Sequence, residues 1–117
     1  MLPPPGPERD KALTKALEGA YSPDFLGAWV RLPTPGLDVA FHNPSTDDHS
    51  ALNLVLWLTT REPESERWAF VIHHHARTGT VEVQGIPMDG GRMAVAKAPT
   101  YAAAVTEALL LALEVKP

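Results

Sequence analysis

The sequence contains no cysteine, which excludes disulfide bonds, thiolate catalysis and cysteine-ligated zinc sites. It also has no apolar run near the roughly 18 residues that a membrane-spanning helix needs. Basic residues are outnumbered, with ten Lys and Arg against fourteen Asp and Glu and a formal net charge of −4. Non-specific nucleic-acid binding depends on clustered positive charge. These absences argue against a membrane or a nucleic acid as the partner, and they predict a cytoplasmic protein.

The length of 117 residues fits a single domain, residues 1–117, with a hydrophobic core of its own. Residues 1–6 contain three prolines, which predict a flexible, extended tail. This tail lacks the charged and apolar regions of a signal peptide. A short helix is expected after it, from Pro7 or Glu8 to about Glu18, because proline suits the first helical position.

Strand signals fall into two groups. The first is a hairpin of residues 28–32 and 37–41 around a Pro-Thr-Pro-Gly break, preceded by a turn at 22–24. The second is a three-strand meander over residues 68–75, 80–84 and 92–97. Val81 and Val83 alternate with polar residues, so one face of the middle strand should meet water. We expect the helices to cover the first meander strand better than the second.

Two longer helices are predicted, over residues 46–60 and 99–115. Ser45 and Asp48 are spaced as a capping box at the start of the first. The second helix is apolar on nearly all sides, which indicates burial on more than one face. The sequence therefore predicts an α+β fold in the order α-β-β-α-β-β-β-α. One antiparallel sheet of about four or five strands would pack against two long helices and a short N-terminal one.

Two blocks of the sequence resemble the phage ABA sandwich domain family, a group of small phage and prophage proteins. Residues 43–48, Asn-Pro-Ser-Thr-Asp-Asp, resemble the family's helix opening. Residues 93–105 and 107–113 resemble its closing strand, its Ala-Pro helix start and its Ala/Leu-rich final helix. The similarity covers about the last two-thirds of the chain. It implies an α+β sandwich of phage or prophage origin, and it points to no particular activity because the family is uncharacterised.

An apolar final helix in so small a domain has two explanations: a central position in a sandwich, or an oligomer interface. Isologous dimers are the commonest assemblies, so a homodimer is the expected form. Trp57 lies at the edge of its helix's apolar stripe and is a further interface candidate. The candidate protein-interface residues are Trp57, Ala104, Ala108, Leu111 and Val115.

The most conspicuous chemical signal is the run His73-His74-His75. On a strand, His73 and His75 share one face, where they could hold a metal ion if a further ligand joined them. Other possible ligands lie near predicted helix and strand ends: His42, His49, Asp47 and Asp48. A solvated strand end explains the same run without a metal. The sequence shows no metal motif of defined spacing, no catalytic set and no cofactor site.

Three functions remain open at this stage. The leading hypothesis is a non-enzymatic phage or prophage accessory protein that binds another protein, such as an inhibitor or modulator of a host system. The second is a metal-binding module or metal-dependent hydrolase that uses His73 and His75. The third is a nucleic-acid-binding protein, which the absence of basic residues from the final helix, residues 99–113, disfavours.

Overall fold

The computed structural model describes residues 2–33, 39–61 and 64–114. The helices are α1 (Pro7–Ala16), α2 (Asp48–Thr60) and α3 (Tyr101–Glu114), with a 3-10 turn at Glu64–Glu66. The strands are β1 (Ala20–Asp24), β2 (Gly27–Leu32), β3 (Val39–His42), β4 (Trp68–His75), β5 (Thr80–Pro87) and β6 (Ala94–Ala98). The α+β class is therefore confirmed, and both the hairpin and the meander are present as antiparallel ladders.

The strands form two sheets and not the single sheet that the sequence predicted. Sheet A has the order β1-β2-β3, and sheet B has the order β4-β5-β6. Helix α2 connects them and contacts β3 and β4, the edge strands on either side of it in the chain. The hairpin and the meander therefore belong to separate sheets, joined in sequence by α2.

Strand β1 occupies the segment that was predicted to be a turn. Pro23 is tolerated there because β1 is an edge strand and Pro23 pairs with Ala28. The backbone of Ala28 is bonded on its other side, where its C=O accepts from the N–H of Asn43 at 2.9 Å. Pro23 and Ala28 therefore form a non-hydrogen-bonded pair of the ladder, in which the missing N–H of proline is not needed. Proline is compatible with an edge strand at such a position. The prediction took Pro23 as the end of regular structure, whereas Pro23 lies within an edge strand.

Helix α3 lies at the centre of the molecule. It contacts β5 and β6 of sheet B and also contacts α1 and α2. Helix α1 in turn contacts β1 and β2, so helices separate the two sheets. Six described residues of α3 have no exposed surface at all: Ala102, Ala104, Val105, Thr106, Ala108 and Leu109. The apolar composition of α3 thus follows from its burial within one chain.

The helices cover β5 more completely than β4, opposite to the expectation. Val81 and Val83 of β5 are buried under α3, and the polar residues between them face outward as predicted. On β4, by contrast, only Trp68 is buried, and His74 on the same inner face is exposed. The sheet extends past the helices at the C-terminal end of β4.

The start of α2 also differs from the predicted capping box. Asp47 is the cap, and its carboxylate accepts from the N–H of His49 at 3.1 Å. Ser45 is fully buried instead, where its hydroxyl accepts from the N–H of Gly6 and its own N–H donates to Asp10. A buried polar group needs such hydrogen-bond partners. Ser45 finds them in Gly6 and Asp10 and not in the first turn of α2.

Asp48, the other member of the predicted box, caps a different helix. Its Oδ1 accepts from the N–H of Ala102 at 2.9 Å, and the hydroxyl of Thr100 accepts from the N–H of Ala103 at 3.1 Å. Both donors are in the first turn of α3, where backbone N–H groups lack helical partners. The first turns of α2 and α3 are therefore joined by a side chain.

Candidate functional site

The two-residue turn between β1 and β2 is held from several directions. Asp24 and Gly27 are paired at its base. The side chain of Asn43 accepts from the N–H of Ala28 at 2.8 Å and donates to the C=O of Leu26 at 2.8 Å. Asp24 accepts from the N–H of Leu26 at 2.9 Å. These contacts fix the turn at the end of sheet A, although it lies outside the core.

The residues displayed by this turn are apolar. Phe25 is fully exposed and Leu26 is 81% exposed, while Trp29 on the adjacent outer face of β2 is 39% exposed. Turn positions usually carry Gly, Asn, Asp or Ser, and large apolar side chains there gain nothing from the fold. We call Phe25, Leu26 and Trp29 the tip cluster. It is an apolar projection on a turn whose backbone is held by hydrogen bonds.

Polar groups support the tip cluster from the side of β3. Nε2 of His42 lies 3.1 Å from Oδ2 of Asp24, and the His42 ring lies 4.8 Å from the ring of Trp29. Partial desolvation raises the pKa of Asp24, but hydrogen bonds from His42, the Leu26 N–H and Trp29 outweigh it. The net effect is a lowered pKa of Asp24. Asp24 therefore stays ionised as the anchor of the turn.

His73 and His75 share the outer face of sheet B, as the sequence predicted. His75 Nε2 lies 3.2 Å from Oε1 of Glu82, and Nζ of Lys97 lies 3.8 Å from the same oxygen. His73 is exposed beside this pair, opposite Glu82 in the β4–β5 register. The Glu82 carboxylate thus contacts both His75 and Lys97 on this face, and His73 is exposed to solvent.

Over the described ranges, no three His, Asp or Glu side chains are grouped so that they could hold a metal ion. The other predicted contributors have separate structural positions. His42 pairs with Asp24 on sheet A, Asp47 caps α2, and Asp48 accepts from the first turn of α3. His49 is exposed on α2. The structure thus does not bring these residues to the histidines of β4.

The predicted interface residues lie in three kinds of environment. Ala104 and Ala108 are fully buried inside the chain. Leu111 is half-buried, and half-buried Trp57 packs against Phe41 at 6.1 Å between ring centroids. Val115 lies outside the described residues. Of the four residues that the structure describes, only Trp57 and Leu111 retain exposed surface for another molecule.

A cleft of about 250 Å³ lies between the C-terminal ends of α1 and α2 and the start of β4. Its lining carries both charge signs, including Glu18, Arg61, Glu66 and Arg67. The Arg61 guanidinium lies 4.2 Å from the ring centre of Trp57 and 3.4 Å from the Glu66 carboxylate. Arg67 donates to the Arg61 C=O at 2.8 Å. Arg61 and Glu66 thus pair across the cleft, while Nε of Arg61 is buried without a hydrogen-bond partner; we assign the cleft no ligand.

Comparison with known proteins leaves the family open. No protein-family model matches the chain. Searches of curated proteins and of solved structures likewise found no match. The resemblance to phage ABA sandwich proteins therefore stays a prediction. Across the part of the chain that the structure describes, no helix is long and apolar enough to cross a membrane.

The tip cluster is the feature that sequence reasoning missed. The prediction ended its turn at residue 24 and gave no role to Phe25 and Leu26. One signal was present: two large apolar residues directly precede Gly27 and follow a Pro-Asp pair. That position is typical of a turn, where buried side chains are rare. The exposure of Phe25 and Leu26 follows from the pairing of β1 with β2, which places both residues in the turn.

Proposed function

We propose that this chain is a non-enzymatic, cytoplasmic protein that binds another protein through the tip cluster. The observation that carries the proposal is the display of Phe25 and Leu26, nearly free of contacts, on a turn held by Asn43 and Asp24. Because the backbone of the turn is already held, little backbone freedom is lost on binding, so more of the burial of Phe25 is available as affinity. The fitting partner has an apolar pocket that admits a phenyl ring.

The surroundings of the tip favour a protein over a lipid surface. Asp24 at the base of the turn is ionised, and the chain as a whole is acidic. Membrane-binding loops gain from positive charge against anionic headgroups, and this turn has a carboxylate in that place. Aromatic residues with a supporting rim are also typical of protein hot spots.

The test is a quantitative pull-down from a lysate of the organism that encodes the chain, followed by purified binding measurements with the captured protein. We expect the double variant Phe25→Ser/Leu26→Ser to lose at least about 2 kcal/mol of binding free energy, because hot-spot anchors contribute that much. Its free energy of unfolding should change by less than about 0.5 kcal/mol, since exposed residues contribute little to stability.

The matched control is Met88→Ser/Met93→Ser, which removes two exposed apolar side chains elsewhere, 57% and 50% exposed. This control should bind as the unaltered chain does. A partner retained equally by both double variants would contradict the proposal. Binding of the chain to phosphatidylcholine vesicles that depends on Phe25 would contradict it as well, because the ligand would then be a membrane.

The finer parts of the proposal rest on the sequence. A phage or prophage origin, and a role as an inhibitor or modulator of a host system, are supported by the resemblance in residues 43–48 and 93–113. A homodimer is supported by the partial exposure of Trp57 and Leu111 on neighbouring helices. Burial of Ala104 and Ala108 leaves these two as the described candidates for such a contact.

A further inference from the structure

Strand β4 forms one edge of sheet B and runs for eight residues. The direction of its backbone groups follows from its register with β5. Pro87, opposite Trp68, has no N–H, and the N–H of Met88 donates to the C=O of Arg67 at 2.9 Å. Hydrogen-bonded pairs alternate along an antiparallel ladder. The odd-numbered residues of β4 therefore face β5, and the even-numbered residues point away from it.

The N–H and C=O groups of Phe70, Ile72 and His74 are therefore directed at the open edge. No strand pairs with this edge within residues 2–33, 39–61 and 64–114. Open edges are usually blocked by Lys, Pro or a bulge. Of the other edge strands, β1 contains Pro23, β6 contains Lys97 and β3 has only four residues, whereas the eight residues of β4 include neither Lys nor Pro.

The second half of this edge is also accessible from both faces of the sheet. Val71 is 40% exposed on the outer face, and His73 is exposed beside it. His74 is exposed on the inner face, because the helices stop short of it. Ile72 is half-buried and offers apolar surface next to the free backbone. No described strand lies against this half of the edge.

The charge near the edge differs from that of the rest of the chain. Residues 68–98 contain three Arg or Lys against two Asp or Glu, whereas the whole chain has ten against fourteen. All three histidines of the 73–75 run lie in β4, and the one carboxylate of the β5 ladder, Glu82, already contacts His75 and Lys97. On the outer face itself Glu82 and Lys97 balance, and exposed His73 adds an imidazole N–H that can donate to a further carboxylate.

We propose that the edge of β4 binds an extended acidic segment of a protein by strand addition. Backbone groups of residues 70, 72 and 74 would supply the hydrogen bonds, which is the usual source of affinity in this mode of binding. Alternate side chains give the specificity. Apolar residues of the segment cover Phe70 and Ile72 on the inner face, and acidic residues lie beside His73 and His75 on the outer face.

This inference rests on the proposed protein-binding function but uses a surface at the other sheet. The two ideas fail separately, because the tip cluster is on sheet A and the variants used below lie on sheet B. A failure of tip-dependent binding would not bear on the β4 edge, and a failure of peptide binding at the β4 edge would not bear on the tip cluster.

The probe is a fluorescein-labelled nine-residue peptide in which valine alternates with glutamate, titrated against the whole chain by fluorescence anisotropy. The key variant is His74→Pro, which removes an outward N–H without taking a donor from the β4–β5 ladder. We expect it to weaken peptide binding at least tenfold. The matched control, His74→Ala, keeps the N–H and should bind within about threefold of the unaltered chain.

A valine-lysine peptide of equal length tests the charge part, and it should bind at least tenfold more weakly than the glutamate peptide. Circular dichroism of His74→Pro establishes that the variant is folded before binding is compared. Equal binding by His74→Pro, or equal binding of the two peptides, would overturn the proposal. So would a dimer of the free chain that His74→Pro alone dissociates while no peptide binds, since the occupant would then be a second copy.

Discussion

At the scale of single residues, a polar network joins three separate segments inside the molecule. Asp10 and Arg9 of α1 are both buried. Asp10 accepts from the N–H of Ser45 at 3.0 Å, and Arg9 donates to the C=O groups of Pro3 and Ala103 at 2.8 and 3.0 Å. Removing one partner of a buried hydrogen-bonded group is costly. The network thus holds the N-terminal segment, the turn before α2 and helix α3 in one arrangement.

Burial has a measurable consequence at Asp10. Desolvation raises the pKa of Asp10, and hydrogen bonds from Ser45 together with the charge of Arg9 offset only part of that increase. A carboxyl whose pKa is higher in the folded state binds protons more tightly there. The contribution of Asp10 to the free energy of unfolding therefore falls as pH rises from about 4 through its raised pKa.

Asp10→Asn should remove this decline, because an amide cannot ionise but its oxygen can still accept from Ser45. Urea denaturation followed by tryptophan fluorescence between pH 4 and 8 measures the effect. The variant should gain stability relative to the unaltered chain as pH rises. Asp24→Asn is the control of opposite sign, and for it the pH range is extended down to about 2. Hydrogen bonds lower the pKa of Asp24, so its contribution to stability is present above about pH 4 and is lost as pH falls below that value. Parallel pH profiles for both variants would contradict this account.

At the scale of elements, the β1–β2 turn depends on one glycine. Gly27 has a φ of +134°, a region that side chains disfavour, and a Cβ there would collide with the side chain of Asn43. Asn43 itself adopts a positive φ of 51°. The turn therefore needs a glycine at 27 so that the amide of Asn43 can lie against the backbone of β2.

Gly27→Ala should lower the free energy of unfolding by about 2–3 kcal/mol, because it adds a steric clash to an unfavourable φ. The control is Gly79→Ala in the β4–β5 turn, where φ is +67° but the added Cβ would meet open space. That variant should lose only about 1 kcal/mol. Chemical denaturation compares the two. Equal losses would show that the Asn43 contact does not hold the turn.

At the scale of the whole molecule, α3 is the central element, because it contacts sheet B and both other helices. Its small residues allow close approach on several sides, and Arg9 of α1 reaches the C=O of Ala103. Ala104 and Ala108 have no exposed surface, so added volume at either position must displace neighbours on α1, α2 or sheet B. Well-packed interiors tolerate such insertions poorly.

Ala108→Leu should lower the free energy of unfolding by about 1–3 kcal/mol through overpacking. The paired variant, Leu111→Glu, lies at the half-buried surface of α3 and bears on the proposed homodimer. Sedimentation over a range of concentrations should give a dimer for the unaltered chain and a monomer for Leu111→Glu. A single-chain mass throughout would contradict a homodimer through α3. Unchanged stability of Ala108→Leu would contradict the central position of the helix.

Much of the local structure was predictable from the sequence. The alternation of Val81 and Val83 with polar residues identified the inner and outer faces of β5, and the structure places them so. The pairing of His73 and His75 on one face likewise follows from strand geometry alone. The capping box was mispredicted because the pattern contains no information on Asp10, whose carboxylate bonds Ser45 across 35 residues of sequence.

The sequence by itself determined the α+β class, the three helices, the hairpin and the meander, because periodicity and turn residues act over a few neighbouring positions. Tertiary structure alone decided the division into two sheets, the burial of Ala108 and the exposure of Phe25 and His74. Those outcomes depend on which distant surfaces meet. An alanine-rich helix suits a dimer interface and a core equally well, and only the packing of α1, α2 and sheet B around α3 separates the two.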